Sequence, residues 1–239
     1  MKKKFLSAIE LLSPWKVRGR RPCGDRGTVT GVFEQVQIQS VIAEGSVASE
    51  KRRLRTDLRA VRRALDADAL ARAARAVATV AEASAALVGA RSVLGYVACD
   101  GEIDVAPVLA AARARGACIA LPRCRVVGGL DVVVVGANAE LVRGARGRVA
   151  EPSGPAADPA TLSTPGLALV PSVALDRRGF RLGRGGGDYD RLLPSLRACG
   201  WTIVGVCHAA SVVERLPVEA HDVPVDVILS DAGLLPSAR

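Results

Sequence analysis

Three consecutive pieces decide the fold: Leu167-Ala168-Leu169-Val170-Pro171-Ser172-Val173-Ala174-Leu175, then residues 188–199, then Thr202-Ile203-Val204-Gly205-Val206-Cys207-His208. The first and third are apolar runs of strand length. The middle piece has helical spacing, with Pro194 as a potential break. A strand, a glycine-rich turn, a helix and a second strand make a β/α unit, and parallel strands need such a crossover. The same rhythm extends outward. Residues 92–98 read as a strand and 105–115 as a helix with Pro107 in its first turn. Residues 117–121 read as a strand ended by Pro122. In 130–135, Val132 to Val135 form the continuous apolar run of a strand buried on both faces. Residues 143–166, rich in Gly, Pro and Arg, read as a long loop, and 225–230 as a last strand. The expectation is an α/β fold: one domain with a mainly parallel sheet covered by helices on both faces.

Two helices precede the first strand. Ser49 with Glu50 can cap one that carries Leu54, Leu58, Val61 and Leu65 at helical spacing. Lys51, Arg55, Arg59 and Arg62 flank that stripe, so they form either a solvated basic face or a cation row at the rim of a pocket. Asp66 or Asp68 caps a second, alanine-rich helix reaching to about Val88.

The 239 residues are 49% hydrophobic but only 3% aromatic, so the core must be built from Ala, Val and Leu. The formal charge of +9 belongs to residues 1–63, with 15 basic and 6 acidic side chains; the remainder is balanced at 18 of each. Residues 1–48 hold four of the five lysines and all three glutamines, and only 36–42 alternates like a strand. They are expected to form a poorly ordered basic extension, with the α/β domain spanning 49–239. Arginines and aromatics do not interleave there, so no nucleic-acid partner is expected. No run is long and apolar enough for a membrane span. Glu10 and Pro14 interrupt the start of the chain before any signal-like apolar run, which points to the cytoplasm. The six cysteines include no Cys-x-x-Cys pair and are expected to be free thiols.

The chemistry concentrates in Asp176-Arg177-Arg178-Gly179-Phe180-Arg181-Leu182-Gly183-Arg184-Gly185-Gly186-Gly187-Asp188-Tyr189-Asp190-Arg191. Four glycines in five positions expose backbone N–H groups, and the helix start behind them adds partial positive charge, which together make an anion cradle. Arg181 and Arg184 can add charge-assisted contacts to phosphate. The spacing is not the Gly-x-Gly-x-x-Gly of dinucleotide folds, and no lysine follows to make a Walker A loop. Ser172 lies outside any Gly-x-Ser-x-Gly elbow. Asp100-Gly101-Glu102 follows the first strand and His221-Asp222 precedes the last, so Glu102, the glycine loop and Asp222 can converge at one sheet edge. His208 and His221 read as local hydrogen-bonders rather than metal ligands.

Lys51-Arg52-x-Leu54-Arg55, Tyr96 with Glu102-Ile103-Asp104, Leu121-Pro122-Arg123, Glu151-Pro152, Val170-Pro171, the glycine segment and His221-Asp222-x-x-Val225-Asp226 together resemble the 5-formyltetrahydrofolate cyclo-ligase (methenyltetrahydrofolate synthetase) family. They stand in the family's order across residues 50–231; residues 1–48 lie outside. The resemblance implies an enzyme that uses MgATP to convert 5-formyltetrahydrofolate into 5,10-methenyltetrahydrofolate, with ADP and phosphate released. It implies that ATP is bound by Lys51, Arg55, Arg181, Leu182, Gly183, Arg184, Gly185, Gly186, Gly187, Asp188 and Tyr189, and the folate by Val97 and Glu102. Asp190 and Asp222 would hold Mg²⁺, while Arg184 and Tyr189 would line the cleft between the substrates as catalytic residues. A monomer is expected. One position departs from the pattern: two aromatics usually precede the metal-binding Asp, and here the first is Asp188. That carboxylate would lose stacking area and repel phosphate, or serve as an extra metal ligand. Two alternative readings are a sugar-phosphate isomerase or CoA-transferase-like enzyme on a similar fold, and a basic nucleic-acid-binding protein.

Overall fold

A computed structural model describes residues 46–146 and 149–238. Nearly all of the expected extension, including the strand-like 36–42, lies outside the described residues. Helices α1 (Val47–Arg63), α2 (Ala67–Glu82) and α3 (Ala85–Val88) come first. Ser46, not Ser49, caps α1, its hydroxyl accepting from the Ser49 N–H; α1 therefore starts two residues ahead of the expected domain boundary. Asp66 caps α2 through the Ala69 N–H, and the expected long second helix breaks at Ala83 into α2 and α3.

The strands are β1 (Ser92–Leu94), β2 (Cys118–Cys124), β3 (Leu130–Val134), β4 (Leu141–Arg143), β5 (Ala150–Pro152), β6 (Gly166–Pro171), β7 (Ala174–Asp176), β8 (Arg181–Leu182), β9 (Thr202–Val206), β10 (Val212–Val213), β11 (Val227–Ser230) and β12 (Gly233–Pro236). Helix α4 (Ala106–Ala114) joins β1 to β2, and α5 (Asp188–Ala198) precedes β9. The main sheet runs β12-β11-β9-β6-β1-β2-β3. Its five inner strands are parallel and both edge strands are antiparallel. The expected α/β fold, mainly parallel and covered on both faces, is what forms. Strand alternation divides the core. Val93, Ile119, Leu167, Leu169 and Val204 face α2 and α4, while Leu94, Ala120, Ala168, Val170 and Ile203 face α5 and Trp201.

The structure corrects several local expectations. The strand expected at 130–135 is the edge strand β3, antiparallel to β2, with Val134 exposed on the open side. Only a short turn separates β2 from β3, too short for the crossover that a parallel pair requires. Pro122 does not end β2. Its missing N–H would face β1, which has already ended at Leu94, so no ladder bond is lost. The run 167–175 splits: β6 ends at Pro171 and β7 belongs to a different sheet. The loop expected at 143–166 contains part of the β4–β5 hairpin and a short 3₁₀ turn. Helix α5 runs unbroken through Pro194. An interior proline costs about 3 kcal/mol, and burial of Leu192, Leu193 and Leu196, at roughly 1.5–3 kcal/mol each, outweighs it.

A smaller core sits beside the main one. Leu54 of α1 packs with Val173, Ala174, Leu182 and Leu216 against the three-stranded sheet β10-β7-β8. This docking lays α1 alongside the carboxyl ends of the parallel strands.

Candidate active site

The buried face of α1 carries charge. Lys51, Leu54 and Arg62 are buried, whereas Val61, expected on the apolar stripe, is exposed. The cation row grips three loops. Lys51 Nζ donates to Glu219 Oε2 at 2.8 Å and to Asp222 Oδ2 at 2.5 Å. Arg55 Nε donates to the Gly183 carbonyl at 2.8 Å. Arg59 Nη2 pairs with Asp100 Oδ2 at 2.9 Å, and Arg62 Nε donates to the Asp100 carbonyl at 2.7 Å. The solvated basic face is therefore not what forms.

The glycine loop joins β8 to α5. Gly185 and Gly187 take left-handed φ values of +103° and +63°, which any side chain would strain. A Cβ on Gly183 would lie 2.6 Å from Arg181 Nη1, and one on Gly186 would lie 2.8 Å from Asp188 Oδ2. The loop is thus a cradle lined by polar groups that a side chain would fill. Arg181 Nη2 donates to Asp190 Oδ1 at 2.7 Å, and its guanidinium lies 5.5 Å from the centre of the Tyr189 ring. Arg181 Nε and the Tyr189 hydroxyl are buried without a partner among the described residues. Two orphaned donors beside such a cradle suit an anionic ligand.

Across the cleft, Asp100 and Gly101 turn the chain with φ of +52° and +74° and bring Glu102 to the opening. His208 Nε2 lies 3.0 Å from the Gly101 carbonyl, so His208 is the local hydrogen-bonder expected of it. Tyr96 closes the same loop by donating to the Ile103 carbonyl at 2.7 Å. Glu102 Oε2 accepts from the Cys99 N–H at 3.2 Å and from its thiol at 3.4 Å. Arg184 touches the Cys99 sulfur and pairs with Asp100 at 2.7 Å.

Many of these groups meet in one cleft of about 760 Å³. Lys51, Arg55, Val97, Glu102, Arg181, Gly183 to Tyr189, Asp190 and Asp222 all line it. Leu182 does not. Successive residues of strand β8 face opposite ways, so Arg181 meets the cleft and Leu182 fills the small core. Asp188 is no free metal ligand, because both its oxygens are held by Arg146, Arg191 and the Gly129 N–H. Asp190 and Asp222 offer hard oxygen donors that suit a divalent cation, with Asp190 Oδ2 and Asp222 Oδ1 outside the ion pairs with Arg181 and Lys51. Glu219, His221 and Asp222 also come together, although Lys51 already neutralises the two acids.

Sequence reasoning missed Glu219, Arg146, Cys99 and Glu151, all on the cleft wall. Glu219 stands two residues ahead of the His221 that was singled out, and Glu151 belongs to a quoted motif. The glycine- and arginine-rich stretch holding Arg146 gave no sign of a hairpin.

Charge pairing shifts these groups. Burial alone would lower the Lys51 ammonium, but Asp222 and Glu219 outweigh it and hold it above the ordinary lysine value. Burial would raise Asp222, but the Glu219 N–H and Lys51 hold it below the usual carboxylate range. Burial and the neighbouring Glu102 carboxylate push the Cys99 thiol up to about 11. The five described cysteines are free, as expected; Cys23 lies outside the described residues.

The fold and cleft define an α/β protein whose sheet-edge site pairs cations with carboxylates around a glycine cradle. Residues 47–231 match the 5-formyltetrahydrofolate cyclo-ligase family, and the chain belongs to it. A 5-formyltetrahydrofolate cyclo-ligase of Escherichia coli (strain K12) is 33% identical over 146 residues, 60% of this chain and 80% of that protein. The Aquifex aeolicus 5,10-methenyltetrahydrofolate synthetase structure superposes with a TM-score of 0.66 at 30% identity, covering 79% of this chain and 93% of that one. The synthetase structure from Mycoplasma pneumoniae shares the fold with a TM-score of 0.60 at 17% identity, over 76% of this chain and 99% of its own.

Proposed function

We propose that this enzyme converts 5-formyltetrahydrofolate to 5,10-methenyltetrahydrofolate with MgATP, releasing ADP and phosphate. The supporting observation is the meeting, in one cleft, of Glu102 with a glycine cradle whose donors Arg181 Nε and Tyr189 Oη lack partners among the described residues. Phosphoryl transfer needs positioning and charge neutralisation more than covalent help. Lys51 and Arg55 would grip the ATP phosphates from α1, with Arg181 and the N–H groups of Gly183 to Gly187 on the other side. Glu102 would accept from the donor edge of the pterin, and Val97 would wall the folate. Asp190 and Asp222 would hold Mg²⁺, which neutralises phosphate charge when bound. The formyl oxygen takes the γ-phosphoryl group and ADP departs. N10 then attacks the activated carbon, loses its proton, and phosphate leaves. Arg184 and Tyr189 lie between the two substrates in this reading.

The reading includes a monomer working in the cytoplasm. Among the described residues no helix is long and apolar enough to cross a membrane. The basic segment behind a nucleic-acid reading falls mostly outside the described residues. The test is the appearance of methenyltetrahydrofolate absorbance from 5-formyltetrahydrofolate, expected only with both ATP and Mg²⁺. No absorbance change with ATP present refutes the reading. A sugar-phosphate isomerase would work without ATP.

A further inference from the structure

Asp188 departs from the aromatic usual at its position, and its surroundings give the replacement a purpose. Its Oδ1 accepts from the Gly129 N–H and Arg191 Nη2, both at 2.8 Å, and from Arg146 Nη2 at 3.3 Å. Its Oδ2 accepts from Arg146 Nη1 at 2.6 Å. Burial would raise this carboxyl, but Arg146, the Gly129 N–H and Arg191 hold it below the usual range. One negative charge thus faces two guanidinium groups, and the cluster keeps a net positive charge. The repulsion of phosphate expected from a lone carboxylate is cancelled.

Arg146 comes from the loop of the β4–β5 hairpin, not from the glycine loop or α5. It lines the cleft with its side chain partly exposed. Its Nη1 lies 3.8 Å from where a Cβ on Gly186 would sit, so the guanidinium stands over the middle of the cradle. Asp188 and the Arg125 carbonyl occupy three of its five N–H groups, leaving Nε–H and one Nη1–H without a partner among the described residues.

We propose that Arg146 is a further phosphate contact for the nucleotide, aimed by Asp188 and delivered by the hairpin across the cleft. The proposal rests on the ATP reading above. A guanidinium fork makes charge-assisted hydrogen bonds to phosphate oxygens. Asp188 fixes that fork, and Arg191 balances the charge of Asp188.

Calorimetric titration of ATP into the wild type, Arg146→Ala, Asp188→Ala and the double variant tests this, with 5-formyltetrahydrofolate titrated as a control and melting temperatures confirming folding. Arg146→Ala should weaken ATP binding about tenfold and leave folate binding unchanged, and the double variant should stay as weak as Arg146→Ala. Recovery of wild-type affinity in the double variant overturns the proposal, because Arg146 would then only cancel Asp188. Equal ATP affinity in Arg146→Ala and wild type also overturns it. If the wild type itself binds no ATP, the underlying reading fails first and this proposal falls with it.

Discussion

Replacing Asp190 with Asn removes one charge and keeps the shape. Arg181, whose side chain is only 4% exposed, then loses the counter-charge at 2.7 Å but keeps an amide oxygen to bond. A hydrogen bond to a charged group contributes about 1.5–3 kcal/mol against 0.5–1.5 for a neutral one, so the stability loss is about 1–2 kcal/mol. For a domain of this size each kcal/mol moves the melting temperature by roughly 2–4 °C, which gives a fall of about 2–8 °C. Turnover should drop at least tenfold at limiting Mg²⁺, about 1.4 kcal/mol of barrier. Arg181, freed from Asp190, should bind the phosphates of ATP more tightly when Mg²⁺ is absent. Turnover measured by methenyltetrahydrofolate absorbance across a Mg²⁺ series, with ATP titrations in chelator, reads both effects. Unchanged turnover at limiting Mg²⁺ removes Asp190 from the metal site. Unchanged chelator affinity shows that Arg181 does not compete between carboxylate and phosphate.

Arg55→Ala should raise the KM for ATP about tenfold and that for folate little, since Arg55 holds the Gly183 carbonyl at 2.8 Å and a charged hydrogen bond contributes ~1.5–3 kcal/mol; small, equal changes in both exclude a phosphate grip. A chain shortened to begin at Ser46 should fold and keep full activity, whereas one beginning at Ala48 loses the α1 cap and about 0.5–1 kcal/mol; denaturant titration compares them, and inactivity of the Ser46 form makes the extension integral. Gly166→Ala would drive a Cβ into the Trp201 ring, so a loss of about 1–3 kcal/mol is expected in the same titration. In acid, Asp100, Asp131, Asp188 and Asp222 sit below their ordinary value of 3.8, so their stabilisation is present above about pH 4 and lost as pH falls through the folded values. In alkali, Cys99 and Cys124, raised from 9.0 to about 11, stabilise below pH 9 and lose that contribution between pH 9 and 11. A melting temperature flat across both windows contradicts those assignments.

Periodicity makes the central strands legible because parallel strands buried on both faces must be continuous apolar runs. It is silent on direction, so Val132 to Val135 read as an inner strand although the five-residue turn 125–129 makes β3 an antiparallel edge. The glycine segment marks the cradle, since backbone that closely approached by Arg181 and Asp188 leaves no room for a Cβ. Within that segment sequence adjacency misleads, because Leu182 belongs to the opposite face of its strand from Arg181. Arg146 and Glu219 reach the cleft only through tertiary folding, from segments without periodicity of their own. Cation–carboxylate pairing is likewise invisible in sequence: Lys51 finds Asp222 across 171 positions.

Helix α1 supplies Lys51 and Arg55 to the cleft, yet its apolar anchorage is the small cluster around Leu54, Val173, Ala174, Leu182 and Leu216, not the main sheet. The main scaffold and the α1 wall of the cleft are thus separately fastened. Local opening of that cluster would release Lys51 and Arg55 together while the seven-stranded sheet stayed intact. On this geometry an opening well short of global denaturation would remove two cations from the cleft, and it would be resisted by aliphatic residues that lie outside the cleft lining.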